Sequence, residues 1–443
     1  MNSSVLPAIG TAVLIAAGVA GCATYRPLPL AVQPALASSI EELQGTPPPP
    51  GGLTMDGVDR LVLEHSPELV SLRAQQHIAH AQMLEAGVLP NPSVNLGVGY
   101  LLSGAGDSTA WSAGIGQDVA ALITLAPMRE AARATEAQIN ASLLWQEWQT
   151  VAKAQLLVVD ISEGERLYAV QGRSLDWLDE RAARLNHAIA AGDEERGAAA
   201  PALAAAADAR TAHDDLQRTL QARHRELTAL LGLRYDAVVS LAPLPPVVPS
   251  DDRVVRTQLA TLAQRRPDLV ALRLGYAAQE ATLRAAVLAQ FPALTLGYSA
   301  SQDNSRVRNG GPAVTFDLPV FNHNQHAIAM ASATRQQLHD EFAARIADAH
   351  DEVESLLAAQ HTVLAQKARS DASPGTTDAS SRAAFDAGLM DVRIYVDLVS
   401  ASASRQAASI TLEQTLREQI IALETLTGAG MPASLPPAGE HHE

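Results

Sequence analysis

The hydrophobic positions of this chain change period twice, in the same way each time. From Pro67 apolar residues recur at helical spacing, Leu69, Leu72, Ile78 and Ala81, and the run predicts a helix stopped by Pro92. Proline is tolerated at position 67 because a first-turn N–H has no intrahelical partner to lose. The period then switches from 3.6 to 2. Val94, Leu96, Val98 and Tyr100 alternate with Asn95, Gly97 and Gly99, and a second alternating run carries Trp111, Ala113 and Ile115. The turn residues Ser103-Gly104-Ala105-Gly106-Asp107 lie between them, so the pair predicts a β-hairpin. The same grammar returns after Pro267: Leu269, Leu272, Ala281 and Ala285 at helical spacing, then Pro292. Leu294, Leu296 and Tyr298, followed by Val314, Phe316 and Leu318, predict a second hairpin, with Asp303-Asn304 through Asn309-Gly310-Gly311 as its turn. Each half reads helix, hairpin, helix.

The halves are copies. His65-Ser66-Pro67-Glu68-Leu69-Val70-Ser71-Leu72-Arg73 reappears as Arg265-Arg266-Pro267-Asp268-Leu269-Val270-Ala271-Leu272-Arg273. The frame holds without a gap to Leu96-Gly97 against Leu296-Gly297, with ten identities over 36 positions. This is an internal duplication. After the first hairpin, Pro127 opens a stretch from Met128 to Ile189 with no further proline, on the order of 90 Å as one helix. That length suits a coiled coil or helical barrel. A break near Gly192 separates it from a helix at about Pro201 to Leu231 that closes on Gly232. The second half predicts a helix from about Gln325, a break at Ser373-Pro374-Gly375 and Gly388, and a helix ending at Gly428. The organisation is thus a first repeat over 53–242 (hairpin about 93–119, long helices about 128–231) and a second over 253–430 (hairpin about 293–319, long helices about 325–427). A Pro-rich linker at 243–252 joins them, and 431–443 is a tail.

The start of the chain adds an address. Val5 to Val19 is apolar but too short to span a bilayer, and Val19-Ala20-Gly21-Cys22 supplies small residues where a secretory signal is cut. Residues 1–21 are therefore expected to be a signal peptide, although residues 2 to 5 carry no Lys or Arg. An apolar residue, two small ones and a cysteine also resemble the bacterial lipobox, which implies lipidation of Cys22 with a diacylglycerol and an N-palmitoyl chain. Cys22 is the single cysteine, so no internal disulfide can form. Ala23, not Asp, follows it, which implies the outer membrane. Residues 22–52, with Pro47 to Pro50 in a row, read as an extended tether.

Composition closes off other classes. The formal charge is −16 with lysine only at 153 and 367, which disfavours nucleic-acid binding. No motif pairs a nucleophile with a base, gathers metal ligands for catalysis or cradles a phosphate, so the chain is not expected to be an enzyme. No cofactor beyond the lipid on Cys22 is expected.

The hairpins pose a physical problem. Strands of about nine residues can cross a bilayer when tilted. Four per chain cannot close, and an open edge in lipid leaves backbone groups unsatisfied. Two chains would give eight strands, whose interior side chains fill, and three would give twelve and a lumen. The alternative is a small water-soluble sheet packed on the helices.

Over essentially its whole mature length the sequence resembles the TolC family of outer-membrane factors. The resemblance is carried by Arg266-Pro267-Asp268-Leu269 and its copy, Ala285 to Phe291-Pro292, Asp317-Leu318-Pro319-Val320-Phe321-Asn322, and the Gly-to-Leu-Gly helices. It implies a mainly α fold with a small β part, in which three chains form a 12-stranded outer-membrane barrel continued by an α-helical barrel through the periplasm. It implies a passive exit duct, working with a periplasmic adaptor and an inner-membrane transporter. Gly192, Asp193, Glu194, Gly388 and Asp391 would then lie at the periplasmic tips, where adaptor docking and gating occur. The first copy departs from the pattern at His65-Ser66, and the turn after Gly192 lacks small hydroxyl residues. Asn322-His323-Asn324-Gln325-His326 resembles a Phe-Asn-Arg-Asn-Gln segment of the CzcC-like heavy-metal branch and implies metal-cation cargo, against a drug or other organic solute. His323 and His326, three apart, are candidate metal ligands, or residues that cap and hydrate the strand-to-helix junction. Two other classes stay open: an envelope lipoprotein acting as a coiled-coil spacer, and a periplasmic metal-binding module.

Overall fold

The computed structural model describes residues 25–30, 32, 35–104, 106, 108–291, 294–372, 383–384, 387, 389 and 392–429. The chain divides into two units, 1–37 and 38–443. In the first, residues 25–30 have no regular structure and are exposed. Cys22 and the expected signal segment lie outside the described residues.

The second unit holds the duplicated framework. Its first repeat contains α1 (Ile40–Gln44), α2 (Met55–His65), α3 (Pro67–Ala86), β1 (Ser93–Gly99), β2 (Ala110–Asp118), α4 (Ala120–Ala191) and α5 (Arg196–Leu230). The second contains α6 (Asp252–Leu259), α7 (Leu262–Arg265), α8 (Pro267–Leu288), β3 (Leu294–Gln302), β4 (Arg308–Phe316), α9 (Gln325–Ala372) and α10 (Val392–Thr427). The fold is mainly helical with one small antiparallel sheet.

Several boundaries differ from the sequence reading for identifiable reasons. The segment expected to be an extended tether contains α1, one helical turn capped by the Ser39 hydroxyl and closed by Gly45 in the left-handed region. Helices precede both Pro67 and Pro267. Thr54 caps α2 and Asp251 caps α6, each through its side-chain oxygen. Helix α3 stops at Ala86, well before Pro92. Helix α4 begins at Ala120 and carries Pro127 inside it, where a start after Pro127 was expected. Helix α5 likewise begins at Arg196 and encloses Pro201. Asn309, Gly310 and Gly311 lie in β4, so the second turn shrinks to the residues between Gln302 and Arg308, with Arg306 at positive φ.

Helix α4 is the spine. Its 72 residues amount to about 108 Å of helix. It packs against α8, α5, α10, α3 and α2, while α9 packs on α8 and α10. A second core gathers Val255, Leu259, Leu262 and Leu269 against Val353 and Leu357 of α9 and Leu423 of α10. The two ends of the first repeat are tied together: Leu53 N–H donates to the Ser240 carbonyl at 2.8 Å and Ala242 N–H to the Leu53 carbonyl at 2.8 Å.

The repeated Arg-Pro-Asp-Leu start has a structural cause. Arg266 grips Asp268 with Nε–Oδ1 2.7 Å and Nη2–Oδ2 2.9 Å, both residues buried, and lies 4.8 Å from the Trp145 ring centroid. Asp268 Oδ1 also accepts the Leu269 N–H, placing its charge at the positive end of α8. In the first copy Ser66 and Glu68 cannot make this pair. There Arg73 reaches across to Glu147 on α4 instead, at 2.7 Å.

Candidate functional site

The sheet runs β1-β2-β3-β4, antiparallel throughout, and its two hairpins join through β2 and β3. Residues paired across strands share a face. Val94, Ile115, Tyr298 and Pro312 form one row; Val98, Trp111, Gln302 and Arg308 form another on the same side. The opposite side reads Asn95, Gly114, Ser299 and Gly311, then Gly97, Ser112, Ser301 and Asn309. One face is therefore apolar and the other is built of small polar residues and glycine.

The apolar face is bare. Val94, Leu96, Val98, Ile115, Tyr298 and Val314 are 53–79 % exposed. Fully burying one such side chain is worth about 1.5–3 kcal/mol, so this face forgoes on the order of 10 kcal/mol in water. Aromatic residues bracket it, Trp111 level with Gln302 at the loop end and Phe316 level with Leu294 at the helix end. Eight residues separate those levels along β3, about 26 Å before tilt, close to the apolar band of an outer-membrane barrel.

The polar face is the crowded one. A Cβ on Gly97 would sit 2.6 Å from Ser112 Oγ, one on Gly297 2.5 Å from the Ile115 carbonyl, and one on Gly116 3.2 Å from Ser93 Oγ and Thr295 Cγ2. Strands that crowd on one face and splay side chains on the other curve toward the crowded face, as barrel walls do. The outer edges of β1 and β4 have no strand partner among the described residues.

At the far end of α4, Gly192 adopts φ 83° and closes the helix. Asp193 N–H donates to the Ala188 carbonyl at 2.9 Å and Gly192 N–H to Ile189 at 3.2 Å, a Schellman closure. Asp193 and Glu194 are exposed in the turn that reverses the chain into α5. Gly388 and Asp391 lie outside the described residues.

His323 and His326 are exposed, and no group of three His, Cys, Asp or Glu among the described residues could hold a metal ion. Their neighbours build the strand-to-helix junction. Asn324 sits at φ 59°, its N–H donates to Asn322 Oδ1 at 3.0 Å, and its Nδ2 donates to the Ala286 carbonyl at 2.8 Å. Gln325 Oε1 accepts the His323 N–H at 2.7 Å. The asparagines and glutamine of this segment are therefore doing structural tasks.

Sequence reasoning missed a polar network that clasps the helices. Glu163 on α4 accepts Arg417 Nε of α10 at 3.1 Å and also pairs with Arg166. Arg166 reaches Glu413 at 2.9 Å, Lys367 of α9 reaches the same carboxylate at 2.9 Å, and Arg417 Nη2 holds the Pro245 carbonyl at 2.7 Å. The scarcity of lysine was a signal: one of the two is spent here.

The sequence matches no family model and no curated protein. The fold, however, is that of outer-membrane channels. A membrane protein from Pseudomonas aeruginosa is 18 % identical, with 92 % of this chain and 97 % of that one covered at a TM-score of 0.70. The CmeC outer membrane channel of Campylobacter jejuni is 12 % identical over 94 % and 95 % at 0.69. The open-state MtrE outer membrane channel of Neisseria gonorrhoeae is 17 % identical over 85 % and 89 % at 0.64.

Proposed function

We propose that this chain is a TolC-family exit duct of the outer membrane, assembled as a homotrimer and passively conducting solute delivered by an inner-membrane transporter through a periplasmic adaptor. The observation that carries the reading is the open-edged, two-faced sheet. Its apolar face needs lipid, and its edges need partners before lipid can surround them. At a strand spacing of about 4.8 Å and a tilt of about 40°, eight strands enclose a backbone radius of about 8 Å and twelve about 12 Å. A wall of Gly, Ser, Thr and Asn suits a wide lumen, because residues this small do not fill a barrel. Three copies of the sheet satisfy both demands.

The remaining assignments belong to the same proposal. Lipid on Cys22 anchors the trimer, and Gly192, Asp193, Glu194, Gly388 and Asp391 form the tip that meets the adaptor. Support for the tip is the reversal at Gly192, at the end of α4 opposite the sheet. Heavy-metal cations are the proposed cargo, supported by the sequence of the 322–326 segment alone. Single-channel recording of detergent-extracted protein, with its oligomeric mass measured in parallel, tests the duct. Trimers that open water-filled pores are expected, and a non-conducting monomer would sink the reading and favour a coiled-coil spacer. Metal sensitivity of a deletion strain tests the cargo.

A further inference from the structure

The apolar face of the sheet carries one charge. Among its described strand residues Arg308 alone is charged, at the loop end of β4 and in the row of Gln302, Trp111 and Val98. Its Nε donates to Gln302 Oε1 at 3.0 Å, which fixes the plane of the guanidinium and leaves the Nη groups for another partner. No carboxylate among the described residues pairs with it. Asp303, the acid nearest in sequence, is committed to the turn, where its Oδ1 accepts the N–H groups of Ser305 and Val307 at 2.8 and 2.9 Å. A cation facing lipid is costly at mid-bilayer and nearly free at the margin, so Arg308 suits the outer edge of the apolar band.

Below Arg308 the face hollows. Gly310, Ala300 and Ala113 form the next row, small residues between the row of Arg308 and that of Pro312, Tyr298 and Ile115. The Tyr298 side chain leans toward the loop end over this hollow, its hydroxyl 3.2 Å from where a Cβ on Gly310 would be. A fixed guanidinium and a phenol hydroxyl thus share one patch of wall, and exposed Val314 and Phe316 continue the apolar surface toward the helices.

We infer that Arg308 and Tyr298 bind a phosphate on the headgroup of an outer-leaflet lipid, whose acyl chains run down β4 over Gly310 and past Pro312 and Val314. The inference rests on the outer-membrane duct proposed above, which turns this face to lipid and gives three such sites per trimer. A planar fork held by Gln302 suits the paired oxygens of a phosphate. Trp111, in the same row, places the site at the aromatic margin, where headgroups meet acyl chains.

The experiment titrates the detergent-purified protein with lipid A carrying its phosphates, with the same lipid dephosphorylated, and with inorganic phosphate, and counts bound lipid by native mass spectrometry. The wild type is expected to hold the phosphorylated lipid about tenfold more tightly than the dephosphorylated one. Arg308→Gln, which removes the charge and keeps a polar partner for Gln302, is expected to erase that preference. Tyr298→Phe is expected to weaken binding about threefold. Arg308→Lys, a charge without the fork, is expected to fall between the wild type and Arg308→Gln. Arg225→Gln, which removes an exposed arginine from α5, is expected to change nothing. Equal binding of phosphorylated lipid by the wild type and Arg308→Gln overturns the inference and leaves the duct intact. Inorganic phosphate that displaces the lipid at equal concentration overturns it too, since the site would then take any phosphate. Wild-type protein that stays monomeric and forms no pore overturns both the inference and the duct.

Discussion

Glu163 and Arg417 form an ion pair in which the carboxylate side chain is 1 % and the guanidinium 13 % exposed, joining α4 to α10 with Nε–Oε1 at 3.1 Å. Neither side chain can return to water while the helices stay packed. Removing Arg417 leaves the buried Glu163 carboxylate with Arg166 as its remaining cation, so the cost is expected to fall below the roughly 3–5 kcal/mol of a buried pair that has no second partner. Arg417→Ala is still expected to lower the thermal midpoint, and more than Glu413→Ala, whose carboxylate is less deeply placed. Replacing both Glu163 and Arg417 by apolar residues of similar volume is expected to recover most of the loss. Circular dichroism melts of the detergent-solubilised protein decide the matter: equal losses for the single and double variants would exclude the pair as the cause.

The glycines of the sheet make a contrast. Gly297 has the Ile115 carbonyl 2.5 Å from where a Cβ would be, whereas Gly311, also on the polar face, has nothing within 4 Å. Backbone cannot swing aside as a side chain can, so in the trimeric barrel proposed above Gly297→Val is expected to prevent closure while Gly311→Ala assembles normally. Trimer yield and pore formation in planar bilayers report the difference.

Much of this was legible from the sequence because two periods and a duplication are local signals. The strands within 93–119 and 293–319 follow directly from alternation, while the break expected at Ser373-Pro374-Gly375 lies outside the described residues. Pro127 misled because its missing N–H forfeits only one bond, to the Ile123 carbonyl, and the helix is nucleated upstream. Val119 N–H still belongs to the sheet, donating to the Leu294 carbonyl at 2.8 Å, and Asp118 caps the next residue. Asn309-Gly310-Gly311 looked like a turn by composition, but pairing with Ser301, Ala300 and Ser299 holds it in the strand. The clasp around Glu163 was not legible, because it joins residues 254 apart in sequence. Nor could spacing say that Asn324 owes its place to a positive φ.

At the turn beyond α4, Gly192 is required by conformation and not by space. Its φ is 83° and nothing lies within 4 Å of a Cβ. Gly192→Ala is expected to cost about 1 kcal/mol, confined to the last turn of α4 and the start of α5. Hydrogen exchange should show faster opening of the Asp193 and Gly192 amides with the protection of 140–160 unchanged. Loss of protection along the whole helix would mean that the turn nucleates α4 as well as closing it.

Asp59 on α2 gives the packing of the repeat junction a pH dependence. Desolvation by the surrounding helices pushes its carboxyl up from 3.8 to about 6, against the hydrogen bond from Gln155 of α4, and the nearby Asp56 and Glu424 raise it further. Its Oδ1 is buried without a hydrogen-bond partner, and burial also raises Glu424 of α10. The sign follows from linkage: the folded state holds the proton more tightly than the unfolded chain, so the stabilisation is fully present below about pH 4 and is lost as pH rises through about 6. Two pKa units set an upper bound of about 3 kcal/mol on the cost of the charge at neutral pH. Asp59→Asn removes that charge and keeps an acceptor for Gln155. Its thermal midpoint is expected to exceed that of the wild type at about pH 7.5 and to match it near pH 4, with a residual slope from Glu424. A variant destabilised equally at both pH values would show that Asp59 serves through its hydrogen bond to Gln155, with its charge contributing nothing.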